Sequence, residues 1–131
     1  MTAFGCDRCY GDDAAAAAKY FYSGGLKMDH MVVDDSHFIV SLRRCTACGQ
    51  AFVSIFTEFI DWSGGDDAQY RDLVPVTPEE ANAVLARGDP ADTRFLGSLG
   101  AGRRRLAWDW PTGGRQRIGW SSGEFPVEEG H

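Results

Sequence analysis

The chain has 131 residues, enough to bury roughly 65–70% of its unfolded surface, so a metal need not be its only support. Its 44% apolar content is ordinary for a globular protein, and no apolar run of about 18 residues exists to span a membrane. A net charge of −6 sets the molecule as a whole against nucleic acid and anionic membrane surfaces.

The start, MTAFGCDRC, lacks the basic and apolar regions of a secretory signal, so a reducing cytoplasm is the expected location. In that compartment Cys-x-x-Cys pairs point to metal or redox chemistry before structural disulfides. The first pair, Cys6 and Cys9, lies in FGCDRCYG. Next, DDAAAAAKYFY (12–22) predicts a short helix, with Asp12 or Asp13 as cap and Ser23-Gly24-Gly25 as its stop. The acidic DHMVVDD (29–35) reads as a solvated loop, and HFIVSLRR (37–44) as an alternating strand with Phe38, Val40 and Leu42 on one face. That strand runs straight into Cys45.

Beyond Cys48, QAFVSIFTEFIDW (50–62) is β-branched and aromatic on both faces, which predicts an antiparallel partner for 37–44 with the second Cys-x-x-Cys at the hairpin tip. RDLVPV (71–76) predicts a third strand, placed at a sheet edge by Pro75. TPEEANAVLARG (77–88) carries the clearest helix start: Thr77 as N-cap, Pro78 at the first helical position, Glu80 closing a capping box, and Gly88 as the stop. The Gly-rich 88–102 reads as a flexible, partly helical connection. RRRLAWDW, PTGG and RQRIGW predict a second hairpin with Leu106, Trp108 and Trp110 on one side. The tail SSGEFPVEEGH reads as extended and loosely held.

Two Cys-x-x-Cys pairs with no spare thiol have the makings of one four-sulfur site, because such a turn places two sulfurs on one metal with little strain. Gly49 directly follows Cys48 and Gly11 lies two past Cys9, supplying the positive φ that tight turns need. Over Cys6–Gly11 and Cys45–Phe52 the chain resembles the paired knuckles of zinc ribbons and rubredoxins, a likeness that extends by strand pattern over 37–60. The resemblance implies Cys6, Cys9, Cys45 and Cys48 as ligands of one structural zinc ion, with iron as the alternative. The chain departs from that pattern in two places. Cys9 and Cys45 are far apart in sequence, which implies an inserted helix and loop, and Tyr10 stands where the ribbon pattern commonly has Gly.

A closed four-thiolate site offers no position for water or substrate, and nothing else in the sequence assembles a nucleophile, base and oxyanion donor. His30 and His37 beside Asp29, Asp34 and Asp35 read as part of the acidic loop rather than a metal site. Residues 103–120 hold five arginines against one aspartate, with three of the four tryptophans. Arg103, Arg104, Arg105, Trp108, Trp110, Arg115, Arg117 and Trp120 are the candidate contact surface for a protein partner, since Trp and Arg dominate such interfaces, the alternative being that the tryptophans pack in the core while the arginines neutralise the acidic domain from outside. Single-stranded nucleic acid uses the same residue types, and the acidic net charge disfavours it. The expected architecture is α+β, an antiparallel sheet built around the ribbon hairpin with two short helices. It forms one domain over 1–131: knuckles and ribbon in 1–62, helix and Arg/Trp hairpin in 63–131. The expected role is a non-enzymatic module that binds a protein.

Overall fold

The computed structural model describes residues 4–89 and 92–130. The fold is α+β, built on a six-stranded sheet whose strands follow one another in sequence order: β1 (Leu26–Asp35), β2 (Phe38–Cys45), β3 (Ala51–Phe59), β4 (Ala68–Val76), β5 (Arg104–Trp110) and β6 (Arg117–Ser122). Every neighbouring pair is antiparallel, as short connections between consecutive strands require. The helices are α1 (Asp7–Tyr10), α2 (Ala14–Tyr20), α3 (Pro78–Ala86) and α4 (Thr93–Ser98), and a π-helical turn, Phe21–Gly25, links α2 to β1.

Apolar side chains on both faces of β2 and β3 are explained by two cores, one on each side of the sheet. On one face Val40, Leu42, Val53, Ile55, Val74 and Val76 pack under Val84 of α3, Leu96 of α4 and Phe125 of the tail. On the other, Leu26, Cys45, Phe52, Leu73, Leu106 and Trp108 pack under Cys9 and Tyr10 of α1 and Ala18 of α2. The metal-ligand candidates Cys9 and Cys45 thus belong to the second core.

Helix α3 starts as expected. The Thr77 hydroxyl accepts from the Glu80 N–H at 3.1 Å, and the Glu80 carboxylate accepts from the Thr77 N–H at 2.9 Å. Thr77→Ala is expected to cost about 1 kcal/mol by chemical denaturation. An unchanged midpoint would show that this cap contributes nothing. The helix end differs from expectation, because Arg87 leaves it in an extended conformation and no left-handed glycine closes it.

Three other expectations are corrected, and the partly helical reading of the connection after α3 is borne out. Residues 29–35 are not a loop: they belong to β1, an edge strand with register shifts at Met28/His30 and Met31/Val33 that break its alternation. β4 lies inside the sheet, between β3 and β5, despite Pro75. The β4–β5 pairing stops at Leu73↔Leu106, and the Pro75 carbonyl instead accepts from the Arg103 guanidinium at 2.9 Å. The missing N–H therefore falls beyond the last pair on that side. The connection after α3 forms α4, and Gly97 there serves close packing: a Cβ at that position would stand 2.1 Å from the Phe125 carbonyl oxygen. The tail is held, with Phe125 in the core, its N–H on the Gly97 carbonyl, and the Glu128 carbonyl accepting from the Thr57 hydroxyl.

Candidate metal centre

β2 and β3 deliver the second knuckle. Between them Cys45 N–H donates to the Gln50 carbonyl at 2.9 Å and Gly49 N–H to the Cys45 carbonyl at 2.8 Å. Gly49 has φ of 81°, a conformation that side-chain-bearing residues resist. In the first knuckle that role falls to Gly5, with φ of 89°, where a Cβ would lie 2.5 Å from the Cys9 sulfur. Gly11, by contrast, is ordinary extended backbone.

α1 presents Cys6 and Cys9 from a single helical turn, and Cys6 N–H donates to the Cys9 sulfur at 3.3 Å. The intervening chain braces the junction rather than looping out. The Tyr20 hydroxyl sits 3.3 Å from the Cys45 sulfur and 3.2 Å from the Thr46 hydroxyl, and Thr46 N–H donates to the Gly25 carbonyl. Tyr20 is a supporting residue that no sequence pattern marks, because its partner lies on another strand.

All four sulfurs lie within 4.8 Å of one another. The Cys6–Cys9 and Cys9–Cys48 separations are 3.8 Å and Cys6–Cys45 is 3.9 Å. Sulfurs about 2.3 Å from a tetrahedral metal stand about 3.8 Å apart, so the donor set fits one ion. A disulfide needs about 2.05 Å and is absent among these thiols. Cys9 and Cys45 are buried, Cys6 is half-buried and Cys48 is exposed.

The thiols have unlike environments. Burial pushes the Cys9 thiol far up, opposed only by the Cys6 N–H. Burial also raises Cys48. At Cys45 burial acts upward too, yet the Tyr20 hydroxyl and the backbone N–H groups of Cys48 and Ala47 outweigh it and hold the thiol at about 7. A redox-active pair wants a sulfur that is both low in pKa and accessible: Cys9 is buried and raised, Cys45 is lowered but buried, and Cys48 is exposed but raised. A dication stabilises all four thiolates at once, which turns binding energy into folding energy.

The C-terminal hairpin grips this centre. The Arg104 guanidinium lies 4.2 Å from the ring centroids of both Tyr10 and Trp120 and donates to the Tyr10 and Gly11 carbonyls. Tyr10 hydroxyl donates to the Arg104 carbonyl, and the Trp120 indole donates to the Asp12 carbonyl at 3.2 Å. Arg103 pairs with Glu80, and Arg105 pairs with Asp72 at 2.9 Å on the opposite face of the sheet. Trp108 is buried, Trp110 is half-buried against it with ring centroids 4.9 Å apart, and Arg115 and Arg117 are exposed. The three consecutive arginines are thus engaged within the fold, and the exposed cations of the segment are Arg115 and Arg117. His37 lies 3.4 Å from Glu58, and the four cysteines are the one metal-capable cluster among the described residues.

No helix among the described residues is long and apolar enough to cross a membrane. No family model, curated protein or solved structure gives a significant match to this chain.

Proposed function

We propose that this protein is a non-enzymatic cytoplasmic module in which one structural zinc ion, held by Cys6, Cys9, Cys45 and Cys48, fastens the N-terminal knuckle onto the sheet. The observation that carries this reading is the close approach of the four sulfurs, all within 4.8 Å of one another with three separations at 3.8–3.9 Å. A four-thiolate shell leaves no open coordination position, so the metal's role is architectural. The protein binds a protein partner through the outer part of its C-terminal hairpin. Trp110 and Ile118 offer half-buried apolar surface there, flanked by the exposed Arg115 and Arg117.

Metal analysis of protein purified under reducing conditions, with a visible spectrum, tests the core of this reading. About one equivalent of zinc and a colourless protein are expected. Iron with strong visible absorption would replace the zinc module by a rubredoxin-like electron carrier. A folded, metal-free protein of normal stability would remove the metal reading altogether. Binding to single-stranded nucleic acid that falls steeply with salt would replace the protein partner.

A further inference from the structure

Five arginines in the structure are neither buried nor exposed: Arg43, Arg71, Arg103, Arg104 and Arg105. The last three each pair with a carboxylate, on Glu80, Asp12 and Asp72 respectively. Arg43 and Arg71 have no ion pair among the described residues. Arg43 spends only its Nε–H, on the Ser41 hydroxyl at 3.1 Å, and Arg71 makes no side-chain hydrogen bond, its guanidinium lying 5.4 Å from the Phe56 ring centroid. The two side chains nevertheless line one cavity, of about 40 Å³, on the α1/α2 face of the sheet. Burial and then the neighbouring Arg43 charge both lower the Arg71 pKa, and no carboxylate opposes them.

A third donor faces the same problem. Trp108 pairs with Arg71 across β4 and β5, is 8% exposed, and lines this cavity. Its indole Nε1–H is buried without an acceptor among the described residues. An orphaned buried donor costs about 1–3 kcal/mol, and two like charges held in a half-buried cavity cost more. The turn that leads into β1, with Gly24 in the left-handed region, supplies the rest of the wall, with Phe21 and Tyr22 among its lining residues and Tyr22 83% exposed.

We propose that Arg43, Arg71 and the Trp108 indole form a binding site for a phosphoryl group, which enters beside Tyr22. The chemistry is that of charge and donor count. Two arginines and a tryptophan line one cavity, and among the described residues only the Ser41 hydroxyl accepts from any of their side-chain N–H groups, whereas a single water offers only two lone pairs. A phosphate group brings about two negative charges and three or four acceptor oxygens, matched to forked arginine donors. The site uses none of the four cysteines and neither Arg115 nor Arg117, although Trp110 of the proposed partner surface stacks on Trp108.

The test follows the Trp108 indole N–H resonance, assigned with Trp108→Phe, in metal-loaded protein titrated with inorganic phosphate at constant ionic strength. A saturable shift and a rise in melting temperature are expected. Arg71→Gln and Arg43→Gln each weaken the affinity about tenfold or more, and Arg71→Lys, which keeps the charge and loses the fork, falls between. In phosphate-free buffer Arg71→Gln melts no lower than wild type, because an unpaired cation has been removed. O-phosphoserine in a parallel titration separates the sources: equal affinity identifies free phosphate, and tighter binding identifies a phosphoryl group on a larger ligand. No saturable shift with either probe up to about 50 mM at fixed ionic strength overturns the proposal. So does a shift that survives unchanged in Arg71→Gln, or in Arg71→Lys should the glutamine variant fail to fold.

Discussion

Replacing Cys9 with serine is expected to abolish metal binding and lower the melting temperature by about 10 °C or more, corresponding to about 3 kcal/mol or more. Cys9 is 0% exposed and packs with Cys45, Tyr10 and Phe52, so the lost ligand also leaves a hydroxyl among apolar side chains beside the buried Cys45 thiol. Cys45→Ser has the same two consequences and additionally frees the Tyr20 hydroxyl. Cys48 is exposed, so Cys48→Ser removes the metal with less direct damage to packing. A strong chelator brings the wild type down to the melting temperature of Cys48→Ser and leaves that variant unmoved. Wild type stripped of metal and melting where the metal-loaded protein melts would refute the structural role.

The second core gives this loss a direction. The layer of α3, α4 and the tail packs on the far face of the sheet, around Val40, Val53, Ile55 and Val74, and includes no sulfur ligand. Losing the metal therefore releases α1 and α2 first. In hydrogen exchange, amides of α2 lose protection while those of β3 and β4 keep it. If β3 and β4 open together with α2, the two faces are one cooperative unit and the sheet itself depends on the metal.

Local patterns carried what the sequence made legible. The Cys-x-x-Cys turns, the β2–β3 hairpin that carries the second of them, the Thr77 capping box and the Arg/Trp hairpin each lie within about two dozen consecutive residues, where local spacing dictates geometry. What failed depends on distant partners. β1 carries charges and two register shifts, so no clean alternation survives to mark it, and only pairing with β2 makes it a strand. Pro75 forbids an interior strand only while both flanks are paired along its length, and the β4–β5 ladder, which stops at Leu73↔Leu106, removes that condition. The glycines at 97–102 gave a reading of flexibility because the tail that packs against Gly97 lies far along the chain. The arginine run looked like a free basic rim, since the carboxylates that hold Arg103 and Arg105 sit on α3 and β4.

Trp108→Ala is expected to cost about 3–5 kcal/mol, with a melting temperature lower by about 10 °C or more. Its ring is nearly enclosed, packed against Trp110 and met edge-on by Tyr22 at 5.9 Å. Trp110, half-buried on the same face, separates packing from recognition. Trp110→Ala should cost markedly less than Trp108→Ala while weakening partner capture. The arginines chosen to accompany it matter. Arg105→Ala would strand Asp72, whose carboxyl is already raised by burial against the pull of Arg105, and so would destabilise the fold rather than probe a surface. Arg115→Ala with Arg117→Ala touches only exposed cations, and should slow association and flatten its salt dependence while leaving metal content and melting temperature intact. Should Trp110→Ala melt as low as Trp108→Ala, Trp110 is a core residue and the hairpin loses its apolar anchor. Should the double arginine variant bind its partner at the wild-type rate, the basic flank plays no part in recognition.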